Sequence, residues 1–178
     1  PHGPRVLPGD LVRLQVWREP DWDGDFLVDQ FGVVALPFVG DVHTEGLTQR
    51  SLKAKLQEAY AREIANLSLT VLVLKRVRVS GEVRSPGIHP LDPTMRVADA
   101  LILSGGRTPD GKADEVLLRR AGQTEAVNVL VDTRLSELAL ETGDEIIVRQ
   151  RPWVSRNAMG VLGAGTGLLG IVIALLLR

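Results

Sequence analysis

The sequence predicts an α+β fold: two small mixed domains followed by a C-terminal transmembrane α-helix. Three observations predict it. Short segments of alternating polarity, separated by Gly and Pro turns, recur through the first 150 residues, which is the pattern of half-buried strands. Each half of that region also holds one helix-period segment. The last stretch, Ala158 to Leu177, carries no charge and one polar side chain, Thr166. As a helix it would span ~30 Å, the thickness of a bilayer core.

Composition narrows the classes. The chain has 178 residues, 44% of them hydrophobic, enough for two small cores. A net charge of −1 gives no general attraction to nucleic acid, and no nucleic-acid partner is expected. The absence of cysteine removes disulfides, thiol nucleophiles and thiolate metal sites.

Pro1 to Pro8 is a lead-in without apolar period, and Leu7-Pro8-Gly9-Asp10 is a turn. Leu11 to Trp17 alternates as a strand, with Trp17 read as core. Arg18 to Asp25 reads as a loop in which Glu19, Asp21, Asp23 and Asp25 are solvated, since their spacing lacks the glycine and bidentate glutamate of a calcium loop. Phe26 to Asp29 and Val33 to Pro37 are short strands, and Phe38 to Val42 is expected to continue extended. Thr48 caps a helix whose apolar face is Leu52, Leu56, Ala59 and Tyr60. Leu67 to Leu74 closes the first block as a strand.

The second block follows without a linker. Arg76 to Val83 is a strand, Ser85-Pro86-Gly87 turns the chain, and Ile88 to Leu91 returns. Thr94 is expected to cap a helix through Val97, Ala100 and Leu103, stopped by Gly105-Gly106. Val116 to Arg120 and Glu125 to Val129 form a hairpin around Ala121-Gly122-Gln123. A turn at Thr142-Gly143-Asp144 leads to the last strand, Glu145 to Val148. The divisions are thus 1–75, 76–150 and 151–178.

In the tail, Gly160, Gly163, Gly167, Gly170 and Ala174 share one helical stripe, suited to packing against neighbouring copies. Leu162, Leu169, Val172 and Leu176 face the other way, toward lipid. Trp153, Arg156 and Arg178 flank the span as interfacial anchors. Arg149 to Arg156 form a local basic cluster that suits headgroups. A buried core helix or a fusion-peptide-like tail is the alternative reading.

Signals of catalysis are missing. His2, His43 and His89 have no metal-ligand spacing, and no metal or cofactor is expected. No serine sits in a G-x-S-x-G elbow, and no phosphate-binding glycine motif follows a strand. Glu45 and Asp99, a conceivable acid pair, lie in separate blocks. Trp22, in the acidic loop, is the open candidate for stacking on a sugar ring.

Taken in order, these motifs resemble a known family. Pro8-Gly9-Asp10, Phe31-Gly32-Val33, Leu36 to Val42 and Glu45 to Thr48 resemble the polysaccharide export sequence domain. Val79-Ser80-Gly81-Glu82-Val83 with Pro86-Gly87, Ala98-Asp99-Ala100, Ser104-Gly105-Gly106 and Gly143 to Val148 resemble one SLBB domain, a β-grasp-like fold. The arrangement is similar to the Wza-type outer-membrane polysaccharide exporters. That resemblance implies a non-enzymatic, octamer-like ring of identical subunits around a central conduit. It also implies a polysaccharide substrate, an inner-membrane co-polymerase or synthesis machinery as partner, and periplasmic domains with the last helix in outer-membrane lipid. The single SLBB-like block and a tail without a polar face depart from the pattern, so a plain membrane anchor remains open, as does the inner membrane. A membrane-anchored SLBB-type module binding a soluble ligand or a partner protein is the alternative function.

Overall fold

The computed structural model of the chain describes residues 5–62, 68–112 and 114–152. The expected tail helix lies outside the described residues. Among the described residues, no helix is long and apolar enough to cross a membrane.

Strand β1 (Leu11–Val16) pairs antiparallel with β2 (Gly24–Leu27). A short 3-10 turn, Pro20–Trp22, joins them, so the acidic segment is partly ordered structure. Asp23 accepts the Val16 N–H at 2.7 Å and Asp25 takes Arg13 Nε at 2.6 Å. That ion pair raises the Arg13 guanidinium above its ordinary value and holds the Asp25 carboxyl below its own.

Strands β3 (Val33–Leu36) and β4 (Gly40–His43) form a separate hairpin. This corrects the expectation that Phe38 to Val42 continues extended. The chain reverses at Pro37-Phe38-Val39, with Phe38 and Gly40 both at positive φ. Pro37 blocks strand continuation, and Gly40 supplies the left-handed conformation at no steric cost.

Helix α1 (Gln49–Tyr60) starts at Thr48, as expected. Thr48 Oγ1 accepts the Ser51 N–H, and Ser51 Oγ accepts the Thr48 N–H in return. Leu52, Leu56 and Tyr60, four residues apart, are buried on one face.

Strand β5 (Leu69–Gly81) is one continuous strand of 13 residues where the sequence suggests two. Its first half pairs with β1, from Val16↔Leu69 to Leu11↔Leu74. Beyond Leu74 the partners change. Strand β6 (Gly87–Leu91) pairs antiparallel along one edge, and β9 (Glu145–Val148) pairs parallel along the other. Helix α2 (Val97–Leu103) follows β6. Its start differs from expectation: Thr94 donates to Asp92 in a turn, and Arg96 is the N-cap, its N–H held by Asp99 at 2.8 Å. Gly105 and Gly106 are both left-handed and end the helix. The hairpin of β7 (Glu115–Arg119) and β8 (Ala126–Leu130) completes the sheet through β9.

Two apolar clusters result. One gathers Val12, Leu14, Val34, Leu52, Leu56 and Val71. The other gathers Val77, Val79, Leu91, Val97, Leu118 and Ile146. The chain therefore passes from one core to the other in mid-strand. The fold is α+β, with two small domains sharing β5.

Candidate functional site at the domain seam

Two Gly-Asp turns meet where the domains join. In each, a glycine at positive φ lets the following aspartate fold back onto a backbone N–H three residues earlier. Asp10 Oδ2 accepts from Leu7 at 2.9 Å, and Asp144 Oδ2 accepts from Glu141 at 3.1 Å. The turns then bond to each other. Thr142 Oγ1 donates to Asp10 Oδ1 at 2.5 Å and accepts the Arg76 N–H at 3.0 Å. Gly143 N–H returns to the Arg76 carbonyl at 3.0 Å.

Lys75 lies at the centre of this seam. It is 2% exposed and Asp10 is 0% exposed. Its Nζ sits 2.6 Å from Asp10 Oδ2 and donates to the Arg5 carbonyl at 3.1 Å. Such a pair holds in a dry interior only when the remaining lone pairs are filled. They are: among the described residues, no buried side-chain nitrogen or oxygen lacks a partner. Asp144 is matched by Arg120 Nη1 at 2.6 Å and by the Ala121 N–H.

A second polar cluster closes the parallel β5–β9 pair. Glu145 accepts Ser80 Oγ at 2.6 Å and pairs with Arg119. Burial pushes the Glu145 carboxyl up, but the Ser80 and Arg119 bonds outweigh it and leave it below its ordinary value. Beside the seam lies a cleft of about 560 Å³ with Leu7, Leu72, Leu135 and Leu140 in its apolar wall and Asp92 and Glu141 among its polar groups.

The far end of the first domain is aromatic. Trp22 is half-buried, with its ring centroid 3.9 Å from Phe38 and 5.7 Å from Tyr60. Tyr60 donates to the Pro37 carbonyl at 2.7 Å, and burial raises its phenol pKa. Trp17 corrects the sequence reading: it is 72% exposed, not core. Val12, Leu14 and Val16 take the inward positions of β1, so the period of two turns Gln15 and Trp17 outward.

The remaining expected site residues, Trp153, Arg156, Gly160, Gly163, Gly167, Gly170, Ala174 and Arg178, lie outside the described residues. His43 sits at the end of β4 and His89 within β6. Glu45 and Asp99 are not brought together as a bonded pair: Asp99 serves as the α2 cap. Sequence reasoning missed Lys75 and Thr142 as seam residues. A lysine inside the apolar run Leu69 to Val79 was the one available signal.

Two small α+β domains that share a strand and are locked by paired Gly-Asp turns define a two-module class of protein, with no assembled catalytic centre among the described residues. Family comparison names the modules. Residues 1–74 match the polysaccharide biosynthesis/export protein family and residues 76–138 match the SLBB domain family. The polysialic acid transport protein KpsD of Escherichia coli is 30% identical over 155 residues, covering 81% of this chain and 28% of the relative. The EPS I polysaccharide export outer membrane protein EpsA of Ralstonia nicotianae is 26% identical over 180 aligned positions, 83% of this chain and 47% of the relative. The capsule polysaccharide export outer membrane protein CtrA of Neisseria meningitidis is 26% identical over 186 aligned positions, 87% and 46%. The chain belongs to the outer-membrane polysaccharide export family. It spans less than half the length of each of these relatives.

Proposed function

We propose that this chain is a subunit of a ring-shaped homo-oligomeric translocon that exports capsular polysaccharide or exopolysaccharide across the cell envelope. The carrying observation is the ordered pair of family modules, folded here around one strand. The role is passive and non-enzymatic: synthesis elsewhere drives the polymer through a central opening. An inner-membrane co-polymerase or synthesis complex feeds it. Residues 1–75 and 76–150 form the periplasmic collar. Residues 151–178 carry the outer-membrane helix, with Gly160, Gly163, Gly167, Gly170 and Ala174 packing against adjacent copies and Trp153, Arg156 and Arg178 at the lipid boundaries.

The shared strand supports this reading physically. A ring under load from a passing polymer needs rigid subunits, and a continuous β5 with a buried ion pair stiffens the hinge between modules. Deletion of the gene is expected to abolish surface polymer while leaving cytoplasmic polymer synthesis intact, with restoration by the full chain. Unchanged secretion in the deletion strain would sink the proposal. Electron cryomicroscopy of the detergent-extracted full chain is expected to show rings. A second reading, a membrane-anchored module that binds a soluble ligand, is favoured by the cleft beside the seam.

A further inference from the structure

Trp17 is a large side chain that the fold leaves exposed and without a packing role. It ends β1 on the outward face, directly after Gln15 in the period of two. Gln15 lies opposite Thr70 in the β1–β5 register, and the Trp17 N–H donates to the Ser68 carbonyl at 3.0 Å. Cross-strand partners in a sheet present their side chains to the same face. The indole is therefore set in one row with an amide and two hydroxyls. Together with Arg18 and Asp23 they line a shallow recess of about 370 Å³.

Three features distinguish this recess from an incidental surface dent. Gln15, Trp17, Ser68 and Thr70 stand on paired backbone, so their spacing is rigid. Arg18 has φ +71, a left-handed conformation that a non-glycine residue adopts only where its surroundings impose it. This turns the chain sharply after Trp17, and Arg18 lines the same recess as the indole. Neither the indole N–H nor Arg18 has a hydrogen-bond or ion-pair partner among the described residues. Asp23 uses one carboxylate oxygen on the Val16 N–H. Donors and acceptors thus share the recess with an exposed aromatic ring without satisfying one another.

That composition fits one class of ligand. A pyranose ring has an apolar face of axial C–H bonds and an equator of hydroxyls. An aromatic plane covers the first. Amide, hydroxyl and carboxylate groups match the second, each able to donate or accept as the sugar requires. A free guanidinium adds a fork for a sugar carboxylate.

We propose that Trp17, with Gln15, Arg18, Asp23, Ser68 and Thr70, forms a saccharide subsite that takes one pyranose unit of a polymer, with Arg18 favouring carboxylate-bearing units. This deepens the export proposal and rests on it for the identity of the polymer, but the binding chemistry stands on this surface alone. Trp22, the candidate from sequence, is half-buried against Phe38 and Tyr60 and lies outside this recess.

The test uses the full chain in detergent, labelled with 5-fluorotryptophan, each resonance assigned by Trp→Phe substitution. The probes are a sialic-acid hexamer and maltohexaose at millimolar concentration. A saturable shift of the Trp17 resonance, with those of Trp22 and Trp153 unmoved, is the expected result. Trp17→Ala, which removes the reporting ring, is read by isothermal titration calorimetry and should weaken binding about tenfold or more, the scale of one lost aromatic contact. Arg18→Gln should weaken the acidic probe about tenfold and leave the neutral one unchanged. No shift with either glycan overturns the subsite. So does a Trp17→Ala chain that breaks into smaller oligomers by native mass spectrometry without any glycan-induced shift in the parent, since the face would then be a contact between copies. The two proposals fail separately. Glycan binding with normal secretion in a deletion strain removes the export role alone. Lost secretion on deletion, with normal secretion by Trp17→Ala and no shift, removes the subsite alone.

Discussion

Replacing Lys75 with methionine tests the seam directly. The substitution keeps the length of the side chain and removes its charge. Asp10, 0% exposed, would then hold a carboxylate with only the Leu7 N–H and the Thr142 hydroxyl as partners, and the Arg5 carbonyl would lose its donor. Breaking a buried pair from one side costs about 3–5 kcal/mol, because the remaining charge stays in a low-dielectric site. That is a large share of the ~5–15 kcal/mol that holds a domain folded. Asp10→Asn should cost a similar amount by stranding the ammonium. The double variant removes both charges. It keeps an amide oxygen as acceptor and should lose only about 2–3 kcal/mol, the scale of one or two imperfectly met polar groups. The cycle therefore predicts a coupling of at least about 3 kcal/mol.

The assay is urea unfolding of the full chain in detergent, in a Trp153→Phe background so that fluorescence reports Trp17 and Trp22 in the first domain alone. Far-ultraviolet dichroism follows both domains. In the parent the two transitions should coincide. In the single variants they should separate, because the seam that links the cores has lost its central contact. Lys75→Met within about 1 kcal/mol of the parent, or single effects that simply add, would refute this account of the seam.

Three further outcomes are expected. Gly81→Ala should be among the most damaging single changes: Gly81 has φ +81, and a Cβ there would lie 2.2 Å from the Val148 carbonyl oxygen. Backbone strain of about 1–3 kcal/mol plus displacement of β9 from β5 predicts a loss of about 3–5 kcal/mol, read by chemical denaturation. Glu145 has a folded-state pKa below its ordinary value, so its contribution is fully present above the unfolded-state value and is lost as pH falls through the folded one. Glu145→Gln should thus be less stable than the parent at neutral pH, with the difference shrinking below about pH 4.5 in a melting series across pH. Tyr60→Phe removes the bond to the Pro37 carbonyl and should lower stability by about 1 kcal/mol, measured by thermal unfolding, while the hydroxyl's removal leaves the Trp22 stacking intact.

Much of the molecule was legible along the chain because its causes are local. Alternation placed β1, β7 and β9, and the Thr48 cap with Leu52, Leu56 and Tyr60 placed α1. The turn motifs, read in order, also pointed to the family. What stayed hidden depends on partners distant in sequence. The exposure of Trp17 was not among these: alternation already sets it in phase with the polar Arg13 and Gln15, opposite Val12, Leu14 and Val16, and a core assignment followed the size of the indole rather than its phase. The helix starts at Arg96 rather than Thr94: residues 92–95 form a turn in which Asp92 accepts the Thr94 N–H, and Asp99 accepts the Arg96 N–H at the first helical turn.

The sequence by itself determined two small mixed domains, their turn chemistry and an uncharged apolar tail, since propensity, period and glycine conformation act over a few residues. Only the tertiary structure decided that one strand serves both domains and that Asp10, Lys75 and Thr142 meet, 65 and 132 residues apart from Asp10 along the chain. A buried charge declares its partner only when the fold has brought the partner within hydrogen-bonding reach, and no local pattern encodes that distance.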